Sequence, residues 1–361
     1  MALYPGAEGE RRIPAGELCE AVAAIFASCG MSAADASLVA DTLVESDLRG
    51  IHSHGVLRVP DYVGKLTALG VDPRGVPRIV SGRGAAIVID GGNSMGQVGA
   101  TFAMQRAIEA ARATGVAAAA LRGSNHCGAM DRYARMALDH DMIGVAMTNA
   151  LPTMAPWGGR DKIVGINPLS IAIPAGQECS PVLDIAFGAT AHGKMRVYHQ
   201  KGLALPEGWA FDEDGMPTTD TARALEGLIR PIGDFKGVGL AMMTGMLSSL
   251  LSGAGYGLES GNMIEGATAG ADGQFFVAID ISAFETVDRF KARVDGIVLE
   301  VHRSRRAAGV GRLYVPGEME AEFEARYRHD GIPLNAATLE GVAAMACARG
   351  VPLPHGMRRA A

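Results

Sequence analysis

The sequence is poor in cysteine and has no surplus of positive charge. Its five cysteines, Cys19, Cys29, Cys127, Cys179 and Cys347, are odd in number and scattered, with no C-x-x-C pair. That argues against a disulfide framework or a cysteine-rich zinc site, and for reduced thiols in a cytoplasmic protein. With 33 Lys and Arg against 39 Asp and Glu, the formal net charge is −6. No general attraction to nucleic acid or to an anionic membrane is expected. The basic run Arg303, Arg305, Arg306 is too short to change this and reads as a solvated face. The first dozen residues lack an apolar core, so no signal peptide is expected. No G-x-G-x-x-G follows an expected strand and Walker A spacing is absent, which counts against an ordinary Rossmann or P-loop site. One uncharged run, 238–254, approaches membrane-spanning length. Its Gly, Ser and Thr content makes a buried helix the expectation instead.

What is present suits a folded chain with a sizeable core: 361 residues, 48% hydrophobic and 20% charged. Its 48 glycines and 18 methionines point to many tight turns and an adaptable interior. Apolar residues at spacings of three and four predict helices over 15–29 and 33–49, stopped by Gly30 and Gly50, with Ser32 and Asp35 as a capping pair. A third amphipathic segment runs over 54–69, with Pro60 near its first turns. Strands are then expected at 85–90, 116–121, 143–148, 168–173, 181–186 and 274–281. Helices are expected at 95–114, 128–139, 236–252, 285–302, 318–328 and 336–349. The fold class is α/β of the α+β kind. A helical domain of residues 1–75, joined by C-terminal helices within 312–361, would accompany a mixed α/β domain of residues 76–311.

Four clusters hold reactive side chains. The first is "GIHSHGVLRVPDY", residues 50–62. His52 and His54 would diverge by about 200° on a helix, and two histidines make too few ligands for zinc. His54 and Arg58, four apart, would share a helix face. Arg58 would grip a carboxylate while His54 moves a proton at the neighbouring oxygen, with Ser53 orienting the imidazole. The plain alternative is a helix surface making local contacts. The second cluster is "RGSNHCGA", 122–129, between a strand and a helix, where a helix start can hold an anion and His126 lies at a strand end. Cys127 reads as a small packed residue rather than a nucleophile. The third is "GDFKGVG", 233–239, where Lys236 is either a phosphate contact or part of a capping turn. The fourth joins Asp184, suited to ribose hydroxyls, to His192-Gly193-Lys194, where Lys194 suits a phosphate or a second carboxylate. Asp212 and Asp214 lack calcium-loop spacing and read as a hairpin turn. No metal is expected; a zinc hydrolase built on His52, His54 and His126 ranks last.

Seven segments in order resemble the malate/L-lactate dehydrogenase family, distinct from the Rossmann dehydrogenases. They are "SHGVLRVPDYV" (53–63), "GSNHCGA" (123–129), "TNALPTMAPWGG" (148–159), "GINPLSIAIP" (165–174), "LDIA" (183–186), "LPEGWAFDEDGMPTTD" (205–220) and "FKGVGLAMM" (235–243). The resemblance implies a non-Rossmann NAD(P)-binding fold like that of L-sulfolactate dehydrogenase, with a homodimer whose active site lies near the interface. It implies hydride transfer between NAD or NADP, with NAD favoured, and a small 2-oxo or 2-hydroxy acid. Reduction of a cyclic imine acid or a diketo sugar acid is the alternative, and a silent cofactor-binding protein is the alternative of another class. Carried over, His54 exchanges the proton, Ser53 supports it, and His126 competes for the proton role. Arg58 binds the carboxylate, with Tyr62, His192 and Lys194 beside the substrate. His126, Cys127, Gly128, Ala129, Met130, Asn149, Asp184, Ile185, Ala186, Gly193, Lys194, Lys236, Gly237, Gly317 and Glu318 match cofactor-contacting positions. Asp234-Phe235 stands where the family has Gly-Gly, Ala150 where some members have serine, and Ile166 where threonine is common.

Overall fold

A computed structural model describes residues 10–200, 202–263 and 265–357. Helices α1 (Ala15–Ser28) and α2 (Ala33–Leu48) pack against each other, and the Ser32 side chain accepts the Asp35 N–H as expected of a cap. Two tight 3-10 turns, His52–His54 and Val56–Arg58, lead into α3 (Val59–Thr67). The continuous helix expected over 54–69 is therefore broken. Gly55 adopts an extended conformation, φ −88° and ψ −154°, and Pro60 sits at the start of α3, where its missing N–H costs nothing.

A seven-stranded mixed sheet forms the centre. Its order across the sheet is Arg78–Arg83, Ala86–Asp90, Val116–Ser124, Asp272–Asp280, Met142–Thr148, Leu169–Ala172 and Val182–Ile185. Only Ala86–Asp90 and Val116–Ser124 run parallel, and α4 (Gly96–Thr114) makes the crossover between them. All other neighbours are antiparallel. A single parallel pair cannot form a doubly wound sheet, which is the structural counterpart of the absent glycine fingerprint. Helix α4 packs on Val116–Ser124 and Asp272–Asp280, with Ala100, Ala103, Ala107 and Ala111 fully buried against Ala119, Phe276 and Ala278. Small residues on the facing sides let helix and sheet approach closely.

The expected helix 128–139 is shorter, comprising α5 (Asp131–Arg135) and a 3-10 turn, Leu138–His140, which ends in left-handed Asp141. Helices α6 (His192–Gln200) and α7 (Thr221–Glu226) flank a small three-stranded sheet, and the Asp212 carboxylate closes its hairpin by accepting the N–H groups of Asp214 and Met216. Helix α8 (Phe235–Ser249) corrects the expectation of a buried helix over 238–254. Its small residues, Ala241, Thr244, Gly245, Ser248 and Ser249, face inward, while Leu240, Met243 and Leu247 are exposed, followed by exposed Leu250 and Leu251. Among the described residues, no helix is long and apolar enough to cross a membrane.

Helices α9 (Val287–Arg303), α10 (Glu318–Asp330) and α11 (Ala336–Ala348) follow. Tyr327, Val342 and Ala346 from the last two join the hydrophobic cluster of α1–α3, and the strand Ile332–Leu334 pairs with Arg11–Ile13. The C-terminal segment thus closes over the first three helices. An ion pair ties these layers to α5: Arg49 Nε donates to Asp131 at 2.7 Å and its Nη1 to Glu324 at 3.1 Å, with Arg49 and Asp131 almost fully buried. Removing one member of a buried pair leaves an uncompensated charge, which costs about 3–5 kcal/mol. Arg49→Ala should therefore lower the unfolding temperature markedly in a thermal melt. An unchanged melt would show that Asp131 finds another partner.

Candidate active site

Asp47, near the end of α2, organises the first cluster. Its Oδ1 lies 2.7 Å from His52 Nδ1, and its Oδ2 accepts the Val56 N–H at 2.7 Å. A Cβ at Gly55 would run into this carboxylate, so glycine is required there for close approach. Although burial opposes it, the Asp47 carboxylate holds the His52 imidazolium above its ordinary range. His52 is thereby committed to α2, while His54 faces the cleft.

His54 and His126 stack with ring centroids 5.6 Å apart and planes 12° off parallel. Each has its Nδ1 against a hydroxyl: Ser53 Oγ lies 3.0 Å from that of His54, and Tyr62 Oη lies 2.7 Å from that of His126. Loss of hydration and the Arg58 charge bring His54 down to about 4, and loss of hydration, His54 and Arg58 hold His126 well below its ordinary value. Both rings are therefore neutral near pH 7. Arg58 donates from Nε to the Ser53 carbonyl at 2.8 Å and from Nη1 to Asp61 at 3.2 Å. His54 and Arg58 meet through this fold-back of the 3-10 turns rather than along one helix face. A Cβ on Gly193 would approach Arg58 Nη2 to 3.3 Å, so the start of α6 lies close over the guanidinium.

These groups line a cleft of about 410 Å³, together with Lys65, Lys162, His192 and Arg196. Asp272 is the one acid among the lining residues, and burial pushes its carboxyl up to about 7 against the pull of Lys65. Four cationic side chains against one weakened acid make a cleft suited to anions. Asn125 anchors the second cluster. Its Nδ2 donates to Asn93 Oδ1 and the Ser94 carbonyl, and its Oδ1 accepts the Gly270 N–H. Asn149 is equally saturated, by Gly255, Ser260 and Gly273. Burial pushes the Cys127 thiol up, which leaves it protonated and packed beside Met130.

The candidate residues separate into neighbourhoods. His54, Arg58, Tyr62, His126, Cys127, Gly128, Asn149, His192 and Gly193 line the cleft, with Ser53 directly behind His54. Lys194 is turned away, its Nζ 4.8 Å over the Trp209 ring. Asp184 accepts the Asp131 and Met130 N–H groups, so the loop from His126 through Ala129 to Met130 leads from the cleft to the strand carrying Ile185, which runs on into Ala186. Gly317 packs on Val182 of that strand. Glu318 is held by His302, Arg312 and the Val315 N–H. Lys236 is exposed in the first turn of α8, with buried Gly237 beside it. Among the described residues, no three His, Cys, Asp or Glu side chains gather as metal ligands. The sequence reasoning passed over Asp47, Lys65, Gln97, Lys162, Arg196 and Asp272. Only Asp47 carried a nearby signal, the glycine eight residues on that its carboxylate demands.

The malate/L-lactate dehydrogenase family model matches residues 13–343, and the chain belongs to that family. It is 38% identical over 310 residues to the L-sulfolactate dehydrogenase of Methanocaldococcus jannaschii, covering 85% of this chain and 88% of the relative. It is 36% identical to the malate dehydrogenase of Pyrococcus abyssi, covering 91% and 92%. The solved structure of the M. jannaschii sulfolactate dehydrogenase superposes with a TM-score of 0.89 over 95% of this chain and 98% of that one, at 34% identity.

The depressed histidines have a consequence for stability. His54 binds a proton more readily unfolded, near 6.5, than folded, at about 4. Its neutral form therefore supports the fold above pH 6.5, and that support is lost as pH falls towards 4. His54→Gln should make the decline in urea stability between pH 6.5 and 4 shallower; an unaltered slope would place the proton uptake elsewhere.

Proposed function

We propose that this chain is an NAD(P)-dependent oxidoreductase of small 2-oxo and 2-hydroxy acids. The observation that carries the reading is the stacked, neutral His54–His126 pair beside Arg58, at the wall of a cationic cleft. The family membership and the names of its relatives point to the same chemistry. The cationic lining suits the carboxylate of a small acid, with the flat nicotinamide beside it and the anionic pyrophosphate beyond. When bound, the dinucleotide supplies or accepts the hydride. Arg58 holds the substrate carboxylate with paired N–H donors. In oxidation, neutral His54 takes the proton of the substrate hydroxyl and becomes imidazolium; in reduction that imidazolium returns the proton to the substrate oxygen, and Ser53 fixes the ring. The neutral imidazole sets no second fixed charge against Arg58, and it is the form that can accept this proton. His126 lies close enough to share it. Lys162, His192 and Arg196 line the rest of the cleft, and Lys194 would have to leave the Trp209 ring to reach a ligand there. For the dinucleotide, the path suggested by position runs from the cleft along 126–130 to Asp184–Ala186 and Gly317-Glu318, with Lys236 and Gly237 as phosphate contacts and NAD favoured over NADP.

We infer also that the chain acts as a homodimer in the cytoplasm, with the helices of 1–75 and 312–361 as one unit beside the sheet of 76–311. The support for the dimer is α8. A helix that turns its small residues inward and displays Leu240, Met243, Leu247, Leu250 and Leu251 leaves a contiguous apolar face to be covered. The five free thiols suit a reducing compartment.

Absorbance at 340 nm with NADH or NADPH and a panel of 2-oxo acids tests the reaction. Turnover of one of them is expected. His54→Ala should lower kcat by about 10²-fold or more with little effect on cofactor binding. Arg58→Ala should chiefly raise the KM for the acid. Near-normal kinetics in both variants would displace the assignment. Light scattering after gel filtration should give twice the chain mass, and Leu247→Glu should halve it; a wild-type monomer would refute the dimer.

A further inference from the structure

Behind the histidine pair lies a residue that the reaction as described does not use. Gln97, in the first turn of α4, is fully buried. Its Nε2 donates to Tyr62 Oη at 3.0 Å, and that oxygen lies 2.7 Å from His126 Nδ1. The Oε1 of the same amide is buried with no hydrogen-bond partner among protein groups. The geometry around it is tight. A Cβ on neighbouring Gly96 would run into the backbone carbonyls of Asn125 and His126, so the start of α4 and the His126 loop are held together.

With the amide in this orientation and the phenolic hydrogen on the imidazole ring, proton counting along this line has one outcome. The phenol has a single hydrogen. With its oxygen accepting from Gln97, that hydrogen goes to His126 Nδ1. A neutral imidazole carries one proton, which must then sit on Nε2. Turning the amide over would put Oε1 against the phenol and draw the phenolic hydrogen towards Gln97. His126 Nδ1 would have to carry the proton, and Nε2 would offer a lone pair instead. Oε1 surrenders no protein hydrogen bond in that turn.

We propose that Gln97 is a positioning residue that acts through Tyr62 to fix which nitrogen of His126 bears the proton, presenting His126 Nε2 to the cleft as a donor. Its kinetic consequence rests on the oxidoreductase reading; its structural consequence does not. Histidine is the proton-moving residue whose two nitrogens differ in role, and the partner of one decides the chemistry of the other. A residue two hydrogen bonds from the ring can therefore bias a step it never touches.

The test uses the full-length protein with ¹⁵N-labelled histidine. Long-range ¹H–¹⁵N spectra at pH 7.5 report the tautomer of each ring, with His126 assigned by loss of its signal in His126→Gln. Wild type should show His126 as the Nε2–H form. Gln97→Met should give a mixture of the two forms. Gln97→Asn, which keeps an amide but withdraws the donor by one methylene, should give a weaker version of the same change and guards against a misfolded Met variant. Both variants showing the wild-type tautomer would overturn the proposal. In the 340 nm assay, Gln97→Met should lower kcat about tenfold with the cofactor KM unchanged, and should add nothing in a Tyr62→Phe background. An undiminished effect of Gln97→Met in that background would show that Gln97 acts by packing alone. A wild type that turns over no 2-oxo acid would defeat the reaction reading, while the spectra would still decide the tautomer.

Discussion

The Asp47 carboxylate is the point from which the rest of the site is hung. From near the end of α2 it accepts the Val56 N–H and draws His52 back. Its bulk forbids any side chain at position 55. The chain then has to turn twice in six residues instead of continuing as a helix. That double turn points His54 at the cleft and lets the Arg58 Nε reach the Ser53 carbonyl. A buried carboxylate is expensive unless its oxygens are satisfied, and here both are used. The same carboxylate therefore also sets the spacing between His54 and Arg58.

The second anchor is the junction between α4 and the end of the central strand Val116–Ser124. Asn125 clamps three loops at once, and Gly96 lets α4 press against the backbone beside His126. His126 is thus mounted on the sheet, and His54 on the helical layer. Their stacking is where two separately built structures meet. The Arg49–Asp131 pair, bridging α2 and α5, keeps those layers in register from the other side. Burial lowers the proton affinity of both imidazoles and leaves Arg58 as the fixed cation beside them.

Much of this was legible in the sequence, for reasons that can be named. Local periodicity marked α1, α2, α4 and the apolar strands, because their buried faces repeat at helix or strand spacing. The break at Gly55 was not legible, since its cause is a contact with Asp47 eight positions earlier, and the 54–69 segment otherwise reads as one amphipathic run. The inward face of α8 was misjudged for a related reason. An uncharged sequence suggests burial, but which side is buried depends on whether the sheet needs small residues or large ones against it. The pairing of His54 with His126, Tyr62 with Gln97, and Lys65 with the loop at 265–268 joins residues 35 to 203 positions apart. Spacing rules do not reach that far; only the family resemblance brought His126 into the same site as His54.

The inverted α8 also explains why one chain carries two kinds of apolar surface. A helix seated by its large side chains would place Leu240, Met243 and Leu247 inside and leave Ser248 and Ser249 to water. The observed arrangement does the reverse, and Ser248 Oγ is satisfied within the helix, on the Thr244 and Gly245 carbonyls. Close packing by small residues gives the helix a firm seat without using its large side chains. Those side chains remain exposed on the outer face, at a cost in apolar area left to water. Lys236 lies in the first turn of the same helix, so a partner on this face would also border that lysine.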